Sequence, residues 1–371
     1  MAIVKFGDIV RDVKINVDRA NNPYEHYVAG DHMDSEDLTI HRYGSFETDD
    51  VGPAFTRIFK PGQILYGSRR TYLKKVAVAD FEGICANTTF VLESKDEALF
   101  DNRLLPFIML SDAFTRWSIA HSKGSTNPYV LFSDLADYEF DLPPLAEQKV
   151  LADKLWAAYR LKESYKKLLV ATEEMVKSQF IEMFGDFHNK VQIKDVCLVV
   201  SGKSIPTKLE DIDGNNPYIK VADFNIPGNE KYITIAQRYV SDDSASYSKQ
   251  IPEGSVIFAK NGAASMSNKK RLTKIRCCID MNTMAVFPKN ESILSDFLFA
   301  TIEAMDVSSH VRQGAIPSIS PKSIEDSYIA MPTMEEQYRY VSIAKHADKS
   351  GFELRKSIDA IDAVIKSLIN S

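Results

Sequence analysis

The chain has 371 residues, 44% of them hydrophobic, so it can bury substantial cores, and its length suggests two or three domains. Its four cysteines, Cys85, Cys197, Cys277 and Cys278, have neither a zinc-like CxxC pairing nor the spacing of a disulfide framework, which points to packing roles in a reducing cytoplasm. A net charge of −6 argues against a uniformly basic nucleic-acid binder, and no apolar run approaches the roughly 20 residues that cross a bilayer, so no membrane partner is expected.

The opening MAIVKFGDIV lacks the basic region and long apolar stretch of a targeting peptide. Residues 1–140 then carry short β-like runs such as Gln63-Ile-Leu-Tyr66, Val76-Ala-Val-Ala79 and Thr89-Phe-Val-Leu92, separated by Gly, Pro, Asn and Asp. A helical stretch follows over Leu104–Ile119, so the unit is mixed α and β. Charge is sorted within it. From Arg57 to Ala79 the chain carries Arg57, Lys60, Arg69, Arg70, Lys74 and Lys75 without a single acid. A polar loop, His121-Ser-Lys-Gly-Ser-Thr-Asn127, closes the unit.

From Leu145 to Met183 there is no Gly or Pro. Apolar or small residues recur in alternating steps of four and three through Leu151, Leu155, Ala158, Tyr165, Leu168, Thr172, Met175, Gln179 and Met183. This spacing predicts a long helix with a coiled-coil-like seam, about 55–60 Å at 1.5 Å per residue. Gly185 is placed to end it.

The chain then repeats itself. LPPLAEQKVLADKL (Leu142–Leu155) returns as MPTMEEQYRYVSIA (Met331–Ala344), and adding 189 carries Pro143, Glu147, Gln148, Ala158 and Lys167 onto Pro332, Glu336, Gln337, Ala347 and Lys356. The flanks repeat as well: Gly62-Gln-Ile-Leu-Tyr66 resembles Gly254-Ser-Val-Ile-Phe258, and Pro128 lies 189 before Pro317. Four segments follow: a reading unit over 1–140, a helix over 141–185, a second unit over 186–330, and a second helix over 331–371. In the second unit Lys260, Lys269, Lys270, Arg271, Lys274 and Arg276 again form an acid-free run, and His310-Val-Arg-Gln-Gly-Ala315 again precedes the helix. Thr333-Met-Glu-Glu336 fits a capping box, and Leu354, Ile358, Ile361, Ile365 and Leu368 continue a seam. The expected fold is α+β: two mixed units in pseudo-twofold repeat, separated by two long antiparallel helices that pair as a coiled coil.

Two basic runs at equivalent places in an acidic chain suit a phosphate-facing surface. Arg, Asn and Gln also pair with base edges through bidentate hydrogen bonds. The candidate DNA-binding residues are Arg57, Ser68, Arg69, Arg70, Tyr72, Lys74, Lys75 and Lys123 in the first unit. In the second they are Lys260, Asn261, Lys269, Lys270, Arg271, Arg312 and Gln313. Arg69-Arg-Thr-Tyr-Leu73 has no counterpart in Asn261-Gly-Ala-Ala-Ser265, so the two units should bind different targets.

The layout of variable unit, Pro-Pro-Leu-x-Glu-Gln helix, variable unit and Pro-x-x-Glu-Glu-Gln helix resembles the specificity subunit of type I restriction–modification systems. Gly67-Ser-Arg-Arg-Thr-Tyr-Leu-Lys-Lys-Val and Gly83-Ile-Cys-Ala-Asn-Thr-Thr-Phe-Val-Leu resemble one type of its target-recognition domains. The resemblance covers the whole chain. It implies that each unit reads one half of a bipartite double-stranded DNA target, that the helices set the spacer, and that the chain has no catalytic centre. It also implies two methyltransferase subunits as partners, docked at the helices and nearby surfaces, with Glu147, Gln148, Glu336 and Gln337 at the subunit interface. Restriction subunits join them, and S-adenosylmethionine, ATP and Mg belong to the partners rather than to this chain. The first unit begins almost at Met1, so a leading segment present in some relatives is expected to be missing.

Two other readings stay open at this point, a self-contained DNA methyltransferase and a coiled-coil adaptor that binds only protein. Asn22-Pro-Tyr, Asn127-Pro-Tyr and Asn216-Pro-Tyr lack the second proline of an amino-methyltransferase motif and read as turn starters. Ser201-Gly-Lys-Ser204 keeps only the tail of a phosphate loop, and the seven histidines lack metal-ligand spacing.

Overall fold

The computed structural model describes residues 2–18, 21–210 and 214–370. It divides into two units, Met1–Lys167 with Leu354–Ser371, and Leu168–Glu353. Each unit therefore takes one globular module, part of the central helix (Leu145–Phe184) and part of the C-terminal helix (Met334–Asn370).

In the first unit, strands Val10–Asp12, Thr89–Ser94, Ile64–Gly67 and Val76–Val78 form one four-stranded sheet, and Gly44–Ser45, His26–Val28, Gly83–Ala86 and Phe55–Phe59 form another. Side chains alternate across a strand, and here both faces are covered. Ile64 and Tyr66 join Phe107 and Phe114 in the core beneath the helices, while Leu65 joins Val28, Phe59 and Cys85 in a second core. A strand buried on both faces has no polar side to show, which is why Gln63-Ile-Leu-Tyr66 reads as a nearly continuous apolar run.

The second unit follows the same plan. Val256 and Phe258 face Phe297 and Ile302, and Ile257 faces Ile219 and Ile279. Its first sheet runs Cys197–Ser201, Thr283–Pro288, Val256–Ala259, Lys270–Thr273 and Tyr232–Ile233, and so has one strand more. The frame closes identically. Phe6 N–H donates to Tyr138 O at 2.7 Å and Ile193 N–H to Ser327 O at 2.9 Å, and the two acceptors hold equivalent places in the repeat.

Each long helix starts where its module ends. Thr333 and Glu336 form the expected capping box, with Thr333 N–H on Glu336 Oε2 at 2.8 Å and Glu336 N–H on Thr333 Oγ1 at 3.3 Å. Within the first unit the two helix segments run antiparallel. Lys162 pairs with Asp362 at 2.5 Å, and Leu151, Leu155 and Ala158 share a core with Ile361, Ile365 and Leu368. Within the second, Phe180 and Phe184 pack on Tyr340, with ring centroids 5.3 and 5.8 Å apart.

Two seam residues depart from expectation. Leu168 and Met175 are about half exposed, and the inward stripe runs instead through Lys162 to Val176, Phe180 and Phe184. Its middle carries Lys162 and Lys166, which a search for apolar residues passes over, landing on Leu168 and Met175 in their stead. Gly185 does end the central helix, with its N–H on Ile181 O at 2.8 Å.

Gln148 and Gln337, expected at a subunit interface, are 1% and 0% exposed. Each amide is engaged inside its own unit: Gln148 bonds Asp101 N–H, Leu99 O and Pro143 O, and Gln337 bonds Leu294 N–H, Ser292 O and Pro332 O. A side chain so enclosed clamps the helix start to its module and presents nothing to a partner.

Candidate nucleic-acid interface

In the first unit the chain leaves strand Ile64–Gly67 through Ser68 and Arg69, turns left-handed at Arg70 (φ 51°), makes a 3-10 turn at Thr71–Leu73, and turns left-handed again at Lys74 (φ 47°). Few non-glycine residues adopt this conformation, so surrounding bonds must hold it. They do. Arg70 N–H donates to Pro128 O at 2.7 Å and Val130 N–H to Ser68 O at 2.9 Å. Lys123 and Tyr129 exchange both backbone bonds, at 2.7 and 2.9 Å. The two polar loops, far apart in sequence, are therefore one surface. Arg69, Arg70, Tyr72 and Lys123 are exposed on it, and the Arg69 guanidinium lies 6.0 Å from the Tyr129 ring centre.

The second unit builds the same crest. Gly262 (φ 71°), the 3-10 turn Ala263–Ser267 and Asn268 (φ 55°) repeat the pattern. Gly262 N–H donates to Pro317 O at 2.8 Å and Ile319 N–H to Lys260 O at 2.9 Å, so Pro128 and Pro317 do the same work. Lys269, Arg312 and Gln313 are exposed, and Lys260 and Asn261 are half-buried beside them. Asn261 Nδ2 donates to Met281 O at 3.1 Å, which fixes the direction of its amide.

Other members of the basic runs turn inward. Arg57 is 8% exposed, with Nη1 2.9 Å from Asp12 Oδ1 and 3.0 Å from Thr89 O, so its charge is spent joining the two sheets. Ser68 is buried, with Oγ on Thr88 O. Lys74 Nζ sits between Glu36 and Asp112, at 2.9 and 3.3 Å, and also reaches Leu110 O at the end of helix Leu105–Leu110. Lys75 Nζ bonds Gly30 O. Lys270 is 6% exposed and caps the end of helix Ser295–Ala304 through Glu303 O and Met305 O; burial lowers its pKa. Arg271 is half-buried against Phe224, with Nη2 on Phe224 O at 3.0 Å. Lys75 stays part-exposed, its bond to Gly30 O lying at the surface, whereas the others shape the crest from beneath.

Sequence reasoning passed over three exposed side chains of the same surface. Tyr129 belongs to an Asn-Pro-Tyr read only as a turn starter, yet it faces Arg69. Met266, on the 3-10 turn, matches Tyr72 on its own turn, with 50% and 54% exposure, and Ile316 is 69% exposed beside Pro317. Counting each loop from its second left-handed residue gives the signal, since Lys74 and Asn268 align and place Tyr72 opposite Met266.

Asp37, His41 and Glu163 bring three potential metal-ligand atoms within 4.8 Å of one another. Lys166 Nζ lies 2.9 Å from both carboxylates, so an ammonium supplies the positive charge that a metal ion would bring. The cluster is an ion-pair network.

The sequence model for the type I restriction modification DNA specificity domain matches residues 24–171 and 187–361, one stretch in each half of the repeat. The chain belongs to this family. The type I restriction enzyme EcoDI specificity subunit of Escherichia coli is 30% identical over 148 residues, which is 40% of this chain and 32% of that protein. The matched stretch thus spans about a third of that curated relative. Among solved structures, a chain from work on complex assembly and conformational transition of the type I R-M system superposes with a TM-score of 0.61 at 19% identity, covering 99% of this chain and 96% of that one. The type I restriction–modification S subunit from M. genitalium gives 0.59 at 13% identity, covering 99% and 94%. At these identities the superpositions establish the fold, which specificity-domain proteins share although few side chains are retained.

Proposed function

We propose that the chain is the DNA specificity subunit of a type I restriction–modification enzyme. Its two crests each read one half of a bipartite double-stranded target, and the two long helices set the spacer between the halves. The observation that carries this is the pair of crests themselves: one backbone scaffold, built twice, with Arg69, Arg70, Tyr72 and Lys123 on one and Lys260, Asn261, Lys269, Arg312 and Gln313 on the other. Arginines and amides held by a rigid backbone suit bidentate contacts to base edges, and the lysines suit phosphates.

The chain supplies recognition and no chemistry of its own in this reading. Two methyltransferase subunits bring S-adenosylmethionine, and restriction subunits bring ATP and Mg. A shallow groove at Glu147, Val150, Leu151, Lys154 and Leu368, with Val150 54% exposed, offers one docking point for a partner subunit beside the start of the central helix. No helix among the described residues is long and apolar enough to cross a membrane, and all four cysteines are free and buried, which suits work in the cytoplasm.

The test is to co-express the chain with its methyltransferase and map modified adenines across a genome. A bipartite motif with a fixed gap is expected, and it should change on one side only when the Ser68–Tyr72 crest is altered. Methylation without a two-part motif, or none above that of the methyltransferase alone, would reject the proposal.

A further inference from the structure

The joint between module and helix is built once in each unit, and its chemistry is inverted. In the first unit residues 37–39 run beside strand Val76–Val78, with Val78 N–H on Leu38 O at 2.8 Å. Tyr159 of the central helix reaches across to them. Its hydroxyl donates to Asp37 Oδ1 at 2.7 Å, accepts from Leu38 N–H at 2.9 Å and lies 3.0 Å from Thr39 Oγ1. Lys166 adds a bond to Asp37 Oδ2 at 2.9 Å.

In the second unit Leu272 N–H donates to Lys231 O at 3.0 Å, so Lys231 takes the place of Leu38 and Tyr232 that of Thr39. Here the tyrosine belongs to the module. Tyr232 Oη and Lys231 Nζ donate to the two oxygens of Asp348, each at 2.5 Å, and Asp348 holds in its helix the place that Tyr159 holds in the other. A long helix arm meets short module residues in one joint, and a short helix acid meets a long module arm in the other.

We propose that this inversion is an address: each module's edge fits its own helix segment and rejects the other. Set against the C-terminal helix, the first module would bring Asp37 towards Asp348, with no tyrosine to bridge the space. Set against the central helix, the second module would bring Tyr232 and Tyr159 into one volume, with Lys231 directed at the existing Lys166–Glu163 ion pair and no Asp at position 159 to receive it. Like charges and unpaired buried polar groups both penalise the wrong partner. Arg355 stands where Lys166 does in the repeat, so a cation remains for Asp37, but the hydroxyl donor does not. The glutamine clamps cannot make this distinction, because Gln148 and Gln337 bond only backbone atoms of their modules. The proposal is independent of what the crests bind.

The experiment uses full-length chains in which residues 6–138 and 193–327 exchange places. The parent and the exchanged chain are each made with and without Tyr159→Asp plus Asp348→Tyr, and folded yield and melting temperature are recorded. In the parent the two substitutions should lower Tm by about 5 °C or more. In the exchanged chain, which should melt lower than the parent or give little folded protein, the same two substitutions should raise Tm or recover folded protein. That reversal of sign is the signature of an address. An exchanged chain as stable as the parent would overturn it, and so would substitutions that lower Tm in both arrangements or recover nothing.

Discussion

The side-chain amides of Gln148 and Gln337 make the same three hydrogen bonds at equivalent places in the two halves, each holding a helix start to the loop that precedes a module's first long helical stretch. An amide is suited to this place because it donates and accepts at once, whereas a carboxylate only accepts. The Glu-Gln phrase thus divides its labour: Gln faces inward, and Glu147 faces solvent at the first helical turn.

Gln148→Ala and Gln337→Ala should each destabilise the unit that holds them by about 2–4 kcal/mol, because buried backbone groups lose their partners. Urea denaturation would measure the loss. A change under about 0.5 kcal/mol would show that water replaces the amide without cost.

Neighbouring lysines should separate in their effects. Lys269 is exposed and Lys270 caps a helix from inside. Lys269→Ala should lower the slope of log K against log salt by about 0.9 for DNA binding by the assembled complex and leave stability nearly unchanged. Lys270→Ala should lower Tm and leave the slope alone. Equal slopes for both variants would remove Lys269 from the interface.

Recognition should fail on one side at a time. Arg69→Ala or Arg70→Ala should cost about 1–3 kcal/mol of discrimination at one half-site for each bidentate pair removed, and Arg312→Ala should act on the other half alone. Competition binding with each half-site scrambled separates the two. Weakening at both halves from either variant would contradict the two-crest reading.

Acid sensitivity should follow Asp37. Burial alone would raise its carboxyl, but bonds from Tyr159, Thr39 N–H and Lys166 outweigh that and hold it at about 2, below its ordinary 3.8. A depressed native pKa stabilises the fold fully above the unfolded value, and the contribution disappears as pH falls through the native one, so the window is roughly pH 4 to 2. Tyr159→Phe should cost about 1.5–3 kcal/mol at neutral pH and move the onset of acid unfolding of the first unit upward. An acid limb superimposable on the parent's would mean that the hydroxyl does not hold the carboxylate charged.

Much of this was legible in the sequence. A phrase repeated at a fixed offset, a long stretch without Gly or Pro, and apolar runs too continuous for half-exposed strands each have one straightforward structural meaning. The basic runs were legible as a region and not residue by residue. Whether a cation faces water depends on distant partners, Asp12 for Arg57 and the carbonyls ending a helix for Lys270, and no local pattern announces them. The joining of the Ser68–Tyr72 loop to the His121–Asn127 loop was equally hidden, because it rests mainly on backbone atoms, with one side-chain bond between Thr71 Oγ1 and Ser122 Oγ at 3.3 Å.

That last feature bears on how such a protein changes over time. The bonds that frame each crest run between Arg70 N–H and Pro128 O, Val130 N–H and Ser68 O, Gly262 N–H and Pro317 O, and Ile319 N–H and Lys260 O. Side chains take no part in these four, so on the proposed function drift can rewrite the letters a crest reads and leave these four bonds in place. Proline at 70, 130, 262 or 319 would delete a donor, and at Gly262, with φ 71°, any side chain would strain the backbone. A saturation library selected for folding alone should therefore be permissive over the outer positions of both crests and closed to proline at those four, which gives the lineage a wide neutral network from which new target sequences can be drawn.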